Sequence, residues 1–495
     1  MNLYELSNQL LLSRLIGERS IEIQSLETDS RKVIPGTLFF CLPGHTVDGH
    51  EYAPQAVERG AVALVTSRQL PLDVAQLIVP DTRKALAVLA DYYYGRPSHK
   101  LRPIGVTGTN GKTTTTYLVE RILADAGISA GVIGTIETRY EGKSLEMSGT
   151  TPDVLQLQQI FHSMVEAGTD RCVMEVSSHA LEQGRVIGCR FRTAIFTNLT
   201  QDHLDYHGTM EAYKAAKGLF FSRLGNTYAD RPEDRTYAVL NADDPASEQF
   251  SKLTSAEVLT YGIENDAHLR ASEVAISAKG TSFTLDAFDI RRKVNLRMVG
   301  KFNVYNALAA LGAAICEGIQ IDQAVQSLES IAGVPGRVEA VDGGQDFAVI
   351  VDYAHTPDGL ENVLRTVNEI ATGRVLCVFG CGGDRDKTKR PIMGRIAADL
   401  ADRLIVTSDN PRTEDPIAIL HDIEAGLKEA GVQEQRYELV PDRRAAIQKA
   451  VEMASPGDVV LIAGKGHETY QLISGVTHDF DDRLVAKEAI RSRSK

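Results

Sequence analysis

The stretch GVTGTNGKTTTTYLVERILADAG, residues 105–127, sets glycines, small polar residues and one lysine between an apolar strand and a helix. A turn of this kind points backbone N–H groups from a helix N-terminus, and its glycines let the main chain approach phosphate oxygens closely. Lys112 would then reach the β- and γ-phosphates of a nucleotide, and the Thr113 hydroxyl would ligate Mg²⁺. Gly108, Thr109, Asn110, Gly111, Lys112, Thr113 and Thr114 are the predicted cradle. The loop departs from the general Walker form, which has glycine where Val106 stands, and is correspondingly shorter. A guanine-nucleotide switch would also need an Asn-Lys-x-Asp reader, which occurs nowhere in the chain, and FGCGGD (379–384) is not a GxGxxG dinucleotide fingerprint. The residues favour ATP over GTP or NAD.

Other segments carry chemistry that their surroundings leave open. Glu175 follows an apolar strand, where a hard oxygen ligand for Mg²⁺ would sit. SDNPRTEDP (408–416) sets Asp409 and Arg412 three residues apart with Pro411 stiffening the chain between them. Taken alone, such residues make a turn and a helix N-cap. His203, in QDHLDYHG, reads as a structural histidine, and Lys217, in YKAAKGLFF, as a surface lysine on a helix.

The elements that must position these groups follow from the apolar pattern. A chain of 495 residues suggests about three domains. Its composition, 43% hydrophobic and 24% charged, is that of a soluble globular protein. The net charge of −13 argues against nucleic acid or an anionic membrane as the main partner. The N-terminal residues show no signal-peptide pattern, and no apolar run approaches the roughly 18 residues that span a bilayer. Six scattered cysteines without CxxC spacing read as reduced thiols of a cytoplasmic protein. Residues 1–98, with GTLFFCLPG and GAVALVTS, form a small α/β domain, and YYYGRPSHKLRP (92–103) reads as a linker. Over 99–332 apolar strands alternate with helices, implying a mostly parallel sheet covered on both faces. After a second linker, GVPGRVE (333–339), the alternation resumes over 333–495. There each strand runs into a polar, glycine-bearing loop, which suits a doubly wound, Rossmann-like domain with ligands at strand C-terminal ends. The fold class is α/β in three domains, the central one P-loop ATPase-like.

TGTNGKTTT, MEVSSHAL, TNLTQDHLDYHG, GKFNVYNALAA, VDYAHTPDG, FGCGGDRDKTKRPIMG, SDNPRTEDP and AGKGHE occur in that order. Together they resemble the Mur ligases of peptidoglycan synthesis, most nearly the tripeptide synthetases, over a span from Thr28 to Glu468. Folylpolyglutamate synthetases share the phosphate loop and ATP-driven amide chemistry, but are not expected to carry DNPR or GKGHE. The resemblance implies one domain each for a UDP-sugar, ATP and an incoming amino acid. It implies a substrate carboxylate attacking the γ-phosphate, then an amine displacing phosphate from the acyl phosphate. No enzyme nucleophile is required, and the protein's part is positioning and charge neutralisation. It further implies His203 and Lys217, the latter as a carbamate, beside Thr113 and Glu175 at Mg²⁺. Asn303, Arg337, Asp352 and His355 are assigned to ATP. Thr28, Ser30, His45, Thr46, Val47, Thr150, Thr151, Ser177, Gln183 and Arg185 are assigned to a UDP-muramoyl dipeptide. Gly149 stands where the family has asparagine. Arg385, Asp409, Asn410, Pro411, Arg412, Gly464 and Glu468 are assigned to the amino acid. DNPR resembles the version that selects meso-diaminopimelate, whose extra carboxylate Arg412 can grip in a bidentate pair; a lysine-adding relative is the alternative. The implied protein is a monomer acting on small molecules, with no nucleic-acid or membrane partner.

Overall fold

The computed structural model describes residues 1–44, 47–145, 149–226, 229, 231, 234–277 and 280–493. The chain divides into two compact units: residues 1–105, 127–194 and 229–236, and residues 106–126, 195–228 and 237–495.

In the first unit, five strands lie in the order Arg14–Ile16, Ala75–Ile78, Ala61–Thr66, Thr37–Phe40, Ser25–Glu27. All neighbours are parallel except the first pair. The run TLFF is buried throughout because both sheet faces are covered. Its side chains alternate, Leu38 and Phe40 packing with Ala63 and Val65 on one face, Phe39 with Val33 and Leu64 on the other. Helix Thr82–Tyr93 starts at Asp81, whose carboxylate accepts the N–H groups of Arg83 and Lys84. It packs on helix Val154–Glu166, capped in the same way by Asp153. The predicted linker at 92–103 is partly ordered: helix Thr82–Tyr93 runs into it, and Pro97–Leu101 forms a short helix with Pro97 in its first turn. Strand Arg171–Glu175 pairs in parallel with Ala130–Ile133 and delivers Glu175 at its C-terminal end.

In the second unit, strands Tyr237–Asn241, Glu257–Gly262 and Leu269–Ser277 are parallel. From Leu269–Ser277 the sheet turns into an antiparallel meander with Gly280–Ala287 and Ile290–Leu296. This meander was not evident in the sequence, because its strands alternate polar with apolar residues and the last carries exposed charges (RRKVNL). Helix Lys112–Asp125 packs against helix Lys301–Cys316, which is apolar nearly all round and buried along its length. A second sheet runs Glu339–Ala340, Ala348–Asp352, Val459–Ala463, Val375–Phe379, Arg403–Val406, Tyr437–Leu439. It is parallel apart from its first strand. Cys377, Phe379 and Leu461 fill the core on one face, Val378, Val460 and Ile462 on the other. Burial on both faces accounts for the near-continuous apolar strands seen in the sequence.

All six cysteines are free, and burial pushes the Cys41 and Cys381 thiols up to about 12, as expected of inert core thiols. Among the described residues no helix is long and apolar enough to cross a membrane.

Candidate active site

The phosphate loop is shaped by what lies behind it. Gly111 sits at φ 83°, left-handed backbone, and helix Lys112–Asp125 starts at the next residue. A Cβ on Gly111 would meet Asn306 Oδ1, and one on Gly108 would meet the Thr197 hydroxyl. Asn198 braces the loop: its carbonyl accepts the Thr109 N–H (2.8 Å) and its Oδ1 the Asn110 N–H (2.9 Å). Thr197 Oγ1 donates to the Asn110 carbonyl at 2.6 Å. Lys112 folds back, its Nζ donating to the carbonyls of Gly108 (3.0 Å) and Thr109 (2.8 Å). Its Nζ is thus held over the loop's own backbone.

Beside the loop is a cavity of about 340 Å³, within the range of small-molecule sites. Asn110, Gly111, Thr114, Arg337 and Asp352, all predicted, line it, together with Asn198, Tyr305, Asn306 and Asp358. Arg337 donates from Nη2 to Thr113 Oγ1 (3.0 Å) and lies 4.6 Å over the Tyr353 ring. Asp352 accepts the Val338 N–H at 2.8 Å; burial raises its carboxyl, with Arg337 opposing. Asn110 Nδ2 donates to Asp358 at 2.6 Å. Asn303 does not line the cavity; it is buried behind it, its Oδ1 accepting from Asn306 Nδ2 (3.1 Å) and its Nδ2 donating to the Val299 carbonyl. His355 also lies outside the cavity lining, its Nδ1 2.8 Å from the Tyr353 carbonyl. Burial, then the Lys389 charge, depresses its pKa to about 4, so it is neutral at pH 7.

Lys217 is no surface lysine. It is 1% exposed, its Nζ donating to the Gly108 carbonyl at 2.9 Å and lying 4.4 Å from the Tyr213 ring centre. Helix Met210–Ser222 turns this face inward, where its aromatic neighbours Phe220 and Phe221 are also buried. Burial drives the lysine well below its usual pKa, repulsion from Lys112 adds to this, and Asp202 opposes. A lysine amine takes up CO₂ only when deprotonated, and the shift is in that direction. His203 stands in left-handed backbone (φ 55°) with Nε2 3.4 Å from Asp202. Asp202 is buried, which works against its charge, yet His203 and Lys389 (3.8 Å) outweigh burial and keep it ionised. Among the described residues no group of three or more His, Cys, Asp or Glu side chains could by itself hold a metal ion.

Two loops at strand ends bring the predicted amino-acid residues together. Asp409 and Asn410 follow strand Arg403–Val406, and Gly464 to Glu468 follow Val459–Ala463. Gly464 has φ 122°, and a Cβ there would collide with the Asp409 carboxylate. Asn410 Nδ2 donates to Glu468 Oε2 at 2.9 Å, and Lys465, fully buried, donates to both Asn410 Oδ1 (3.0 Å) and Glu468 Oε2 (2.9 Å). Arg412 is held in left-handed backbone (φ 54°), its Nη1 bonded to the carbonyls of Gly383 (2.8 Å) and Asn410 (3.4 Å). Among the described residues it pairs with no carboxylate. Pro411 is buried beside it, and Arg385 is exposed, donating to the Asp384 carbonyl. The turn-and-cap reading of SDNPRTEDP also holds, since Asp415 caps helix Pro416–Glu429.

The first unit holds a separate polar network. Glu175 is buried, its Oε1 accepting the Thr135 N–H (2.8 Å) and its Oε2 the Thr135 hydroxyl (3.0 Å). Thr150 lies 3.1 Å from that hydroxyl; Thr151 Oγ1 donates to the Glu175 carbonyl and accepts the Ser177 N–H. Arg185 donates to the Thr151 carbonyl (2.7 Å) and, through two nitrogens, to Gln183 Oε1. Ser30 is buried and donates to Gln55 (2.6 Å), the Thr28 N–H goes to Glu27, and Val47 is exposed. His45 and Thr46 lie outside the described residues. Gly149, at φ 101°, has open space where a side chain would stand.

Comparison with known proteins matches three family models to the chain: the Mur ligase family catalytic domain over 22–94, the Mur ligase middle domain over 106–314, and the Mur ligase glutamate ligase domain over 336–466. A UDP-N-acetylmuramoyl-L-alanyl-D-glutamate--2,6-diaminopimelate ligase of Halalkalibacterium halodurans is 52% identical over 493 residues, 100% of this chain and 99% of its own. The chain belongs to the Mur ligase family. The ligase of the same name from Bacillus cereus is 51% identical with the same coverage. A solved structure of another such ligase superposes with a TM-score of 0.71 at 34% identity, covering 100% of this chain and 99% of that one. The three-domain α/β reading therefore stands.

Several residues at the candidate site went unassigned in the sequence although they lie inside the quoted motifs: Asn198 in TNLTQDH, Tyr305 and Asn306 in KFNVYNAL and Asp358 in AHTPDG line the cavity, and Lys465 in AGKGHE bonds Asn410 and Glu468. The signal was their polarity within otherwise apolar or glycine-rich runs. Tyr305 shows what it meant: its hydroxyl donates to Asp243 (2.8 Å), whose carboxylate also accepts three backbone N–H groups from Ile263, Glu264 and Asn265.

Proposed function

We propose that this Mur ligase uses ATP to join meso-diaminopimelate to UDP-N-acetylmuramoyl-L-alanyl-D-glutamate, a step in making peptidoglycan precursor. The observation that carries the specificity is Arg412, whose guanidinium is anchored by one nitrogen only and pairs with no carboxylate among the described residues. It lies in the same loop as Asn410, which binds Glu468, so a cationic and an anionic contact are offered by neighbouring residues. Diaminopimelate has an ammonium and a carboxylate at its far end, whereas lysine lacks that carboxylate. The names of the full-length relatives support the same substrate.

In this reading the D-glutamate carboxylate attacks the γ-phosphate, releasing ADP and leaving an acyl phosphate. The amine of diaminopimelate then attacks the acyl carbon, forming the amide and expelling phosphate. Lys112 exchanges its bonds to the Gly108 and Thr109 carbonyls for phosphate oxygens and neutralises charge as it develops. Arg337, now on the Thr113 hydroxyl, is a second cation at the nucleotide cavity. Asn303, one layer behind the lining, sets Asn306, while His355, neutral at pH 7, is available as a hydrogen-bond partner beside it. Thr113, Glu175, His203 and Lys217 as its carbamate are the residues that would hold Mg²⁺, which when bound supplies charge neutralisation for phosphoryl transfer. Thr28, Ser30, His45, Thr46, Val47, Thr150, Thr151, Ser177, Gln183 and Arg185 are proposed for the UDP-muramoyl dipeptide. Arg385, Asp409, Pro411 and Gly464 join Asn410, Arg412 and Glu468 around the amino acid. Domain limits at 1–98, 99–332 and 333–495, a cytoplasmic location and a monomeric state complete the reading.

The test is phosphate release with ATP, Mg²⁺, the UDP-muramoyl dipeptide and a panel of amino acids. Turnover should require the dipeptide and diaminopimelate. Turnover with a guanine nucleotide alone, or without the dipeptide, would overturn the reading.

A further inference from the structure

Arg390 and Glu414 belong to no substrate contact assigned above, yet they are among the most tightly engaged charges in the molecule. Arg390, on helix Lys389–Leu400, is fully buried. Its Nη2 donates to Glu414 Oε1 (2.8 Å) and the Gly382 carbonyl (3.2 Å), its Nη1 to Glu414 Oε2 (3.1 Å) and Asp422 (2.8 Å). One guanidinium therefore ties together the loop after strand Val375–Phe379, the loop that carries Arg412, and helix Pro416–Glu429. Glu414 adds two bonds of its own, accepting the Asp384 N–H (2.6 Å) and pairing with Lys387 (3.0 Å). The same two loops are laced a second time where Asp384 accepts the Thr413 N–H and hydroxyl (3.1 and 2.8 Å), and a third where the Gly383 N–H donates to the Asn410 carbonyl (2.9 Å).

These bonds converge on Arg412. Its Nη1 rests on the Gly383 carbonyl, between Gly382 and Asp384, the residues that Arg390 and Glu414 grip. A Cβ on Gly382 would lie 2.9 Å from that nitrogen, so the loop's backbone is the floor on which the guanidinium lies. Burying a charged pair is a poor way to gain stability, since well-packed apolar residues commonly do as well. A bidentate pair with four further partners does fix geometry.

We propose that the Arg390–Glu414 pair is a clasp that sets the position of the Arg412 guanidinium, making both positioning residues for recognition of the amino acid's distal carboxylate. This deepens the diaminopimelate reading and rests on it. Loosening the clasp lets the Gly382–Asp384 floor shift, and a displacement of about 1 Å at a positioning contact can cost on the order of a hundredfold. Because the bonds of Arg390 and Glu414 given above stay within the two loops and their helices, and neither residue lines the nucleotide cavity, ATP should not sense the change.

Glu414→Gln keeps the shape and removes the charge. Its KM for diaminopimelate should rise roughly ten- to a hundredfold, with KM for ATP and for the muramoyl dipeptide within about twofold of wild type. Arg390→Lys should show the same split, since one ammonium cannot replace a bidentate fork. Thr413→Val, which removes only the hydroxyl half of the exposed Asp384 link and leaves the backbone N–H bond, should raise the same KM by a smaller factor and covers the case in which a buried variant does not fold. A folded Glu414→Gln enzyme with unchanged diaminopimelate KM would overturn the clasp, as would a parallel loss for all three substrates. An unaffected Thr413→Val enzyme would overturn it if Glu414→Gln does not fold. A crystal structure of Glu414→Gln separates this idea from the substrate assignment. Arg412 left unmoved on Gly383 refutes the clasp whatever amino acid is used, whereas a wild type that ignores diaminopimelate refutes the substrate reading and leaves the displaced Arg412 to support the clasp.

Discussion

Replacing Arg412 by alanine should damage use of diaminopimelate far more than use of ATP. A guanidinium has five N–H donors. In the structure Nη1 is committed to the carbonyls of Gly383 and Asn410, which leaves Nε and Nη2 as the fork for a ligand carboxylate. Hydrogen bonds to charged groups are each worth about 1.5–3 kcal/mol, so losing two costs about 3–6 kcal/mol. That is on the order of a hundred- to ten-thousand-fold in kcat/KM. Arg412→Lys keeps the charge but offers a point donor, and should recover only part of the loss. Arg412→Gly is the informative companion. At φ 54° a Cβ is strained, so glycine should relieve the backbone while losing the same catalytic efficiency. Stability and specificity would then move in opposite directions, which a collapsed loop could not produce. The assay is kcat/KM for diaminopimelate and for lysine, with KM for ATP as the control. Wild type should reject lysine by roughly 10⁴–10⁵, because lysine leaves the fork unpaired. Wild type using lysine as well as diaminopimelate, or Arg412→Ala within a few-fold of wild type, would refute the reasoning.

Lys112→Ala should fold normally and lose on the order of a hundred- to a thousand-fold in turnover, about 3–4 kcal/mol of barrier; near-normal turnover would remove this lysine from the mechanism. Lys217 should carry a CO₂ adduct, visible as a carbamate carbon in ¹³C NMR under labelled CO₂, and Lys217→Ala should be nearly inactive but partly rescued by a short carboxylate. A bare amine with nucleotide and Mg²⁺ bound would refute it. His355 titrates near 4 in the folded protein against about 6.5 when unfolded, so between those values the unfolded chain binds more protons. The neutral imidazole's share of stability is complete above pH 6.5 and is lost as pH falls towards 4. His355→Gln should therefore lose less thermal stability than wild type between pH 7 and pH 5, and equal losses would show that the histidine does not titrate in this way.

The parts of this fold legible in the sequence are those written in apolar side chains. Runs such as VLCVF and VVLIA are strands buried on both faces, and the glycine-bearing loops after them carry residues proposed for the ligands. The phosphate loop was legible because glycine, lysine and threonine between a strand and a helix have few other uses. The antiparallel meander was hidden by the exposed charges of its last strand, and the linker at 92–103 by Pro97, which in fact starts a helix. Buried charge was the larger gap. Lys217, Arg390, Arg443 and Lys465 are each no more than 1% exposed, although their residue types predict surface positions. What buries them is partners distant in sequence: Gly108 for Lys217, Glu414 and Asp422 for Arg390, Asp482 for Arg443, Asn410 for Lys465.

These four buried basic side chains share a further property that sequence spacing cannot display. Each donates to a segment that begins where a strand ends. Lys217 holds the Gly108 carbonyl after strand Ile104–Thr107, and Arg390 the Gly382 carbonyl after Val375–Phe379. Arg443 holds the carbonyls of Ser408 (3.3 Å) and Ala463 (3.0 Å), the starting points of SDNPR and AGKGHE, and Lys465 holds the Asn410 side chain between them. Desolvating a cation costs several kcal/mol and is tolerated only with excellent geometry. In this chain that cost is concentrated at the bases of the loops proposed above to hold substrates, while the sheet interiors away from them are packed with aliphatic and aromatic side chains. Lys217, Arg390 and Arg443 each bond a main-chain carbonyl at or just after a strand end, and Lys465 bonds side chains of the two loops proposed for the amino acid. Arg443, paired with fully buried Asp482, joins those two loops through Ser408 and Ala463, and its helix packs on the sheet face opposite that of the Arg390 helix.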